Sequence, residues 1–123
     1  MGKVLSFINQ KGGVGKTTSA VNVGLSLAVS EIKTLIVDLD PQANATIGLS
    51  DLTKKSDKNI YDVLINETDI TEAIAKTTFP CLDVVPSTND LVGAEVELVN
   101  IMAREYQLKK ALKKIVRKYD VII

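Results

Sequence analysis

The 123-residue chain contains no histidine, which excludes imidazole acid–base chemistry and histidine metal ligation. Its single cysteine, Cys81, cannot close an internal disulfide and fits a reducing, cytoplasmic setting. No cation neighbours it in sequence to stabilise a thiolate, so it reads as a small core residue. No stretch approaches the roughly 18–20 apolar residues of a membrane span. Asn9, Gln10 and Lys11 interrupt the first apolar run too early for a signal peptide. An excess charge of one sign is also missing: fifteen Lys plus Arg offset fifteen Asp plus Glu, so no net basic charge announces nucleic acid. That zero hides an asymmetry, because residues 1–103 sum to −5 and residues 104–118 to +6.

What is present is an ordinary globular composition, 46% apolar and 24% charged, which excludes a disordered or collagen-like chain. The length suits one domain with a real core. The apolar run at 4–9 is followed at once by glycines and predicts a buried parallel strand. Residues 17–30 predict a helix, with Ala20, Val21, Val23, Gly24, Leu27 and Ala28 at helical spacing. Gly24 costs that helix about 1 kcal/mol against Ala, which close packing on the sheet would offset. Strands are predicted at 34–39, 81–85 and 119–123, short helices at 60–65 and 71–76, and a polar loop over 41–59. A long amphipathic helix is predicted over 91–119, with Leu108, Leu112, Ile115 and Tyr119 on one stripe. Strands alternating with helices mean a mostly parallel sheet with helices on both faces.

The chemistry concentrates in Lys11-Gly12-Gly13-Val14-Gly15-Lys16-Thr17-Thr18, between the first strand and the first helix. A phosphate chain needs unobstructed backbone N–H donors, and glycines let a loop turn its amides inward as an anion nest. The next helix presents its positive dipole end to the same phosphates. In such a loop Lys16 reaches the β- and γ-phosphates, and the Thr17 hydroxyl ligates Mg²⁺. The first glycine of the general pattern G-x-x-x-x-G-K-[ST] would fall at Gln10, and the next residue is a second lysine, Lys11. On spacing alone, Lys11 reads equally as a solvated loop lysine. Asp38 and Asp40 close the second strand, and Asp38 taken alone could be a strand-end carboxylate with no ligand.

These blocks resemble a known family. KGGVGKTT is similar to the deviant Walker A motif of the SIMIBI-type P-loop ATPases. VDLDPQANAT at 37–46 and VVPSTNDLVGAEVEL at 84–98 resemble the second and third blocks of the ParA (Soj-like) partition ATPases, and KYDVII at 118–123 resembles the approach to Walker B. The resemblance implies a P-loop NTPase-type α/β fold, one domain over 1–123, truncated after about four strands with the carboxy-terminal half of the family domain absent. It implies ATP and Mg²⁺ as cofactors, with the nucleotide cradled by Lys11 to Thr18. It also implies an ATP-dependent sandwich homodimer in which Lys11 acts across the interface, and a cytoplasmic, nucleoid-associated protein. Asp40 would orient or activate the attacking water, and Asp38 would hold waters of the metal that Thr17 ligates. A ParB-type centromere-binding partner and nonspecific DNA are the implied partners, with no membrane. The Walker B carboxylate would fall two residues beyond Ile123, so the 123-residue chain alone is expected to lack turnover.

Two alternatives stay open, a MinD-like division-site ATPase and a non-hydrolysing nucleotide-binding module; Asp-Pro-Gln after Leu39 favours partition over the first. Six basic residues between Lys109 and Lys118 could touch a phosphate backbone, but they avoid the apolar stripe and are expected to be a solvated face.

Overall fold

The computed structural model of the chain describes residues 2–6, 16–91 and 101–123, with backbone alone for 16, 17 and 101–105. Its organising element is strand β2 (Thr34–Val37), an unbroken apolar run after a short turn. Successive side chains of a strand face opposite ways, so Leu35 enters one apolar cluster and Ile36 another. Strand β4 (Leu82–Val85) pairs parallel with β2 in register from Thr34 opposite Leu82 to Val37 opposite Val85. The last strand, β5 (Val121–Ile122), pairs parallel with β2 and with β1 (Lys3–Val4). Strand β3 (Ala75–Lys76) adds an antiparallel edge, giving a five-stranded sheet of order β1-β5-β2-β4-β3.

Helices cover both faces, which is why the strands can be apolar throughout. Helix α1 (Lys16–Val29) and the short α2 (Asn44–Gly48) lie on the Ile36 face, over a core of Ala28, Ile36, Leu49, Leu82 and Val84. Helices α3 (Ile60–Ile65), α4 (Ile70–Ala73) and α5 (Ile101–Lys113) lie on the other, with Leu35, Val85, Ile115 and Ile122 fully buried. Helix starts follow local chemistry. The Asn59 side chain accepts from the Tyr61 N–H at 2.8 Å while Asp62 accepts from the Asn59 N–H at 3.0 Å, a reciprocal cap. Helix α1 ends without glycine: Glu31 takes φ 62°, and the Ile32 N–H reaches the Leu27 carbonyl at 3.0 Å.

Several sequence expectations need correction. The strand expected at 4–9 is a strand only at Lys3–Val4 among the described residues, and Val4 is 51% exposed instead of buried. Strand β1 lies at the edge of the sheet with β5 on one side only. The helix expected at 71–76 is α4 followed by β3: Ile74 swings to ψ 121° and Ala75 pairs with Val84. The polar loop at 41–59 contains α2. The long helix ends at Lys113, and tighter i to i+3 bonds, such as Lys118 N–H to the Ile115 carbonyl at 2.8 Å, carry the chain on to β5. Its stripe still works, with Ile115 and Tyr119 buried and Leu108 and Leu112 packed beside them. Residues 92–100 of that expectation lie outside the described residues. The fold class stands, with one more strand than expected.

Candidate nucleotide site

Ligands of open α/β sheets bind beyond the carboxyl ends of the strands. Helix α1 ends four residues before β2 begins, so its C-terminus lies at the amino edge of the sheet and its N-terminus at the carboxyl edge. The helix begins at Lys16, which puts Lys16 and Thr17 in its first turn, where the backbone N–H groups have no helical partner. Thr18 follows and is exposed. Lys11, Gly12, Gly13, Val14 and Gly15 lie outside the described residues, as do the side chains of Lys16 and Thr17.

The second strand delivers two carboxylates to the same edge. Asp38 is buried, 4% exposed, and among the described residues it pairs with no cation; hydrogen bonds hold it. Its Oδ1 accepts from the Asp40 N–H at 3.0 Å, and its Oδ2 accepts from the Thr46 N–H at 2.8 Å and the Thr46 hydroxyl at 2.6 Å. A carboxylate has about four acceptor positions, so among the described residues roughly one remains. Asp40 is half-buried and makes an Asx turn, Oδ1 accepting from the Gln42 N–H at 3.0 Å and Oδ2 from the Asn44 amide at 2.8 Å. Among the described residues, about two of its acceptor positions stay free. Ala43, at φ 56° and ψ 38°, turns the chain from this loop into α2.

The end of β4 completes the arrangement. The Ser87 N–H donates to Thr46 Oγ1 at 2.9 Å, and the Ser87 hydroxyl donates to the Asp40 carbonyl at 2.5 Å. Residues 41 and 47 positions apart in sequence thus form one network. Among the described residues no buried side-chain nitrogen or oxygen lacks a partner. Sequence reasoning assigned no role to Thr46, Ser87 or Asn44. The signal was there, since all three fall inside the blocks 37–46 and 84–98, but their roles depend on contacts between those blocks.

The basic residues of α5 and the turn after it, Lys109, Lys110, Lys113, Lys114, Arg117 and Lys118, are all exposed. Lys114 pairs with Asp69 at 3.3 Å. Hydrogen bonds from Thr71 and then Lys114 hold the Asp69 carboxyl down at about 2. Cys81 is half-buried at φ 65° and packs against the Ile36 cluster. Among the described residues no helix is long and apolar enough to cross a membrane.

A mostly parallel sheet with a helix N-terminus and a carboxylate-bearing loop at its carboxyl edge defines a P-loop NTPase-type domain. The chain belongs to the AAA domain family (AAA_31), which it matches over residues 2–123. It is 47% identical over 123 residues to the sporulation initiation inhibitor protein Soj of Bacillus subtilis, covering 100% of this chain and 49% of that protein. Among solved structures, cobyrinic acid a,c-diamide synthase from Mycobacterium smegmatis with bound ADP and magnesium superposes with a TM-score of 0.89 at 37% identity, over 100% of this chain and 50% of the other. A putative plasmid partition protein from Borrelia burgdorferi bound to AMPPNP superposes with a TM-score of 0.85 at 31% identity, over 99% and 51%. The chain spans about half the length of these relatives.

Proposed function

We propose that this chain is the phosphate-holding part of a partition ATPase, which binds ATP with magnesium, dimerises around it and hydrolyses it to segregate chromosomal or plasmid DNA. The observation that carries the reading is the shared carboxyl edge: α1 opens there at Lys16, and the Asp38–Asp40 loop leaves β2 there. In this reading the Gly12–Gly15 amides and the first turn of α1 hold the phosphates, with Val14 and Thr18 completing the cradle. Lys16 balances the β- and γ-phosphate charge, and Lys11 supplies a second cation to the nucleotide of the partner subunit. Magnesium prefers oxygen ligands and takes one or two protein groups beside substrate phosphates; the Thr17 hydroxyl and the remaining acceptor position of Asp38 fit that set. The metal, when bound, neutralises charge developing on the phosphates. Asp40 orients the attacking water through its free acceptor positions and takes its proton. A ParB-type protein and nonspecific DNA are the proposed partners.

The test is Lys16→Ala in the native protein, followed by fluorescent-nucleotide titration. A phosphate cluster deprived of its cation should lose detectable ATP and ADP binding. Affinity within about threefold of wild type would remove the phosphate-loop assignment, because a buried charge pair broken on one side costs far more than the ~0.7 kcal/mol such a change represents.

A further inference from the structure

The Asp38–Asp40 loop is not self-supporting. Leu39 is 47% exposed, so apolar packing does little to hold the segment between β2 and α2. Its own turn bonds, such as the Ala43 N–H to the Asp40 carbonyl at 2.8 Å, close the loop, and two hydroxyls on separate elements tie it to the rest of the fold. Thr46 Oγ1 touches a carboxylate oxygen of Asp38 and the Ser87 N–H. A carboxylate can only accept and an amide N–H can only donate, so the one hydroxyl proton must point at Asp38. Ser87 Oγ faces the Asp40 carbonyl, which can only accept, so its proton is fixed as well. Asp40 is therefore gripped at both ends of its backbone, its N–H by Asp38 and its carbonyl by the Ala43 N–H and Ser87. Ser87 is 8% exposed and follows β4, which is locked in register to β2 over four residues.

We infer that Thr46 and Ser87 are positioning residues for hydrolysis: a two-hydroxyl clasp that fixes the Asp40 carboxylate relative to the sheet edge. The inference rests on the ATPase reading above and deepens it. Both hydroxyls are spent on protein partners and act through the loop. They set where Asp40 stands when water attacks, and a displacement of about 1 Å at that point is worth up to 10²-fold in rate. Phosphate binding, which the proposed function gives to residues 11–18, should not depend on them.

The experiment uses the native protein with Thr46→Val, Ser87→Ala and Thr46→Ser, measuring kcat for ATP, nucleotide affinity and amide exchange of the 84–91 peptide. Thr46→Val keeps shape and removes the hydroxyl. It and Ser87→Ala should each lower kcat about 10- to 100-fold with ATP affinity within about threefold, while Thr46→Ser retains near-wild-type kcat. Thr46→Val should also speed exchange at the Ser87 amide. Unchanged kcat in either hydroxyl-free variant overturns the clasp, as does loss of affinity in step with kcat, unaltered exchange in Thr46→Val, or failure of Thr46→Ser to retain activity. Wild-type protein that binds ATP without turning it over overturns the hydrolytic reading itself, and the inference with it; a clasp failure beside active wild type leaves that reading standing.

Discussion

Gly24 lies in the middle of α1, where alanine would favour the helix by about 1 kcal/mol. Its role is to let α1 approach the sheet. A Cβ built on Gly24 would stand 2.7 Å from Ile36 Cδ1 and 3.2 Å from Ile36 Cγ1. Carbon atoms rest at about 3.5–4.0 Å, so the Cδ1 methyl would have to retreat by roughly 1 Å. Ile36 is 2% exposed and packed among Leu49, Leu82 and Val84, so the methyl can only move by disturbing neighbours. Overpacking of this kind costs about 1–3 kcal/mol. Gly24→Ala should therefore destabilise by about 1 kcal/mol after the helical gain is subtracted. Ile36→Val deletes the nearest clashing atom at its own cost of about 0.5–1.5 kcal/mol. In that background Gly24→Ala should become neutral or stabilising, a coupling of about 1–2 kcal/mol. Urea unfolding of the four proteins of the cycle would measure it as shifts in midpoint at constant slope. If Gly24→Ala stabilises both backgrounds by the same amount, the close approach of α1 to β2 is not what the glycine serves.

Two further perturbations address the site and the far edge of the sheet. Among the described residues Asp40→Ala removes the side-chain contacts to Gln42 and Asn44 alone, so the native protein should still bind ATP while turnover falls about 10²–10⁴-fold; nucleotide affinity falling equally would reassign Asp40 to support of the cradle. Burial, and then the 2.7 Å hydrogen bond to Asp83, push the Tyr119 hydroxyl well above its ordinary 10.0. The unfolded chain releases that proton near pH 10.0 while the folded chain keeps it, so the contribution to stability is intact below 10.0 and declines as pH rises further. Denaturation midpoints taken from about pH 9 to 11 should fall more steeply for wild type than for Tyr119→Phe; parallel curves would refute it.

Elements whose cause is local were legible in the residue order. The helix over 60–65 was, because Asn59 and Asp62 cap it from within one turn. The 34–37 core of the second strand was too, its apolar run having no alternative partner than a sheet buried on both faces. The turn from α4 into β3 was not: 70–76 has helical composition, and Ala75 and Lys76 become strand only because Val84 and Asp83 offer a ladder, with Lys76 bonded to Asp83 at 2.9 Å. Helix α2 was missed because Ala43 starts it from a left-handed backbone, a conformation that the residue type disfavours.

The same division runs through the candidate site. Glycines beside lysine and threonine point to phosphate chemistry by residue type and spacing, because such a segment carries its own donors, whereas the roles of the two aspartates came only with the family resemblance. The grip of Thr46 and Ser87 on the Asp38–Asp40 loop was decided by tertiary structure. Parallel pairing of β2 with β4 brings their carboxyl ends side by side, and only then can hydroxyls 41 residues apart meet on one loop, Thr46 at the Asp38 carboxylate and Ser87 at the Asp40 carbonyl. Residue order sets what a side chain can donate or accept; the sheet register sets which partner it meets.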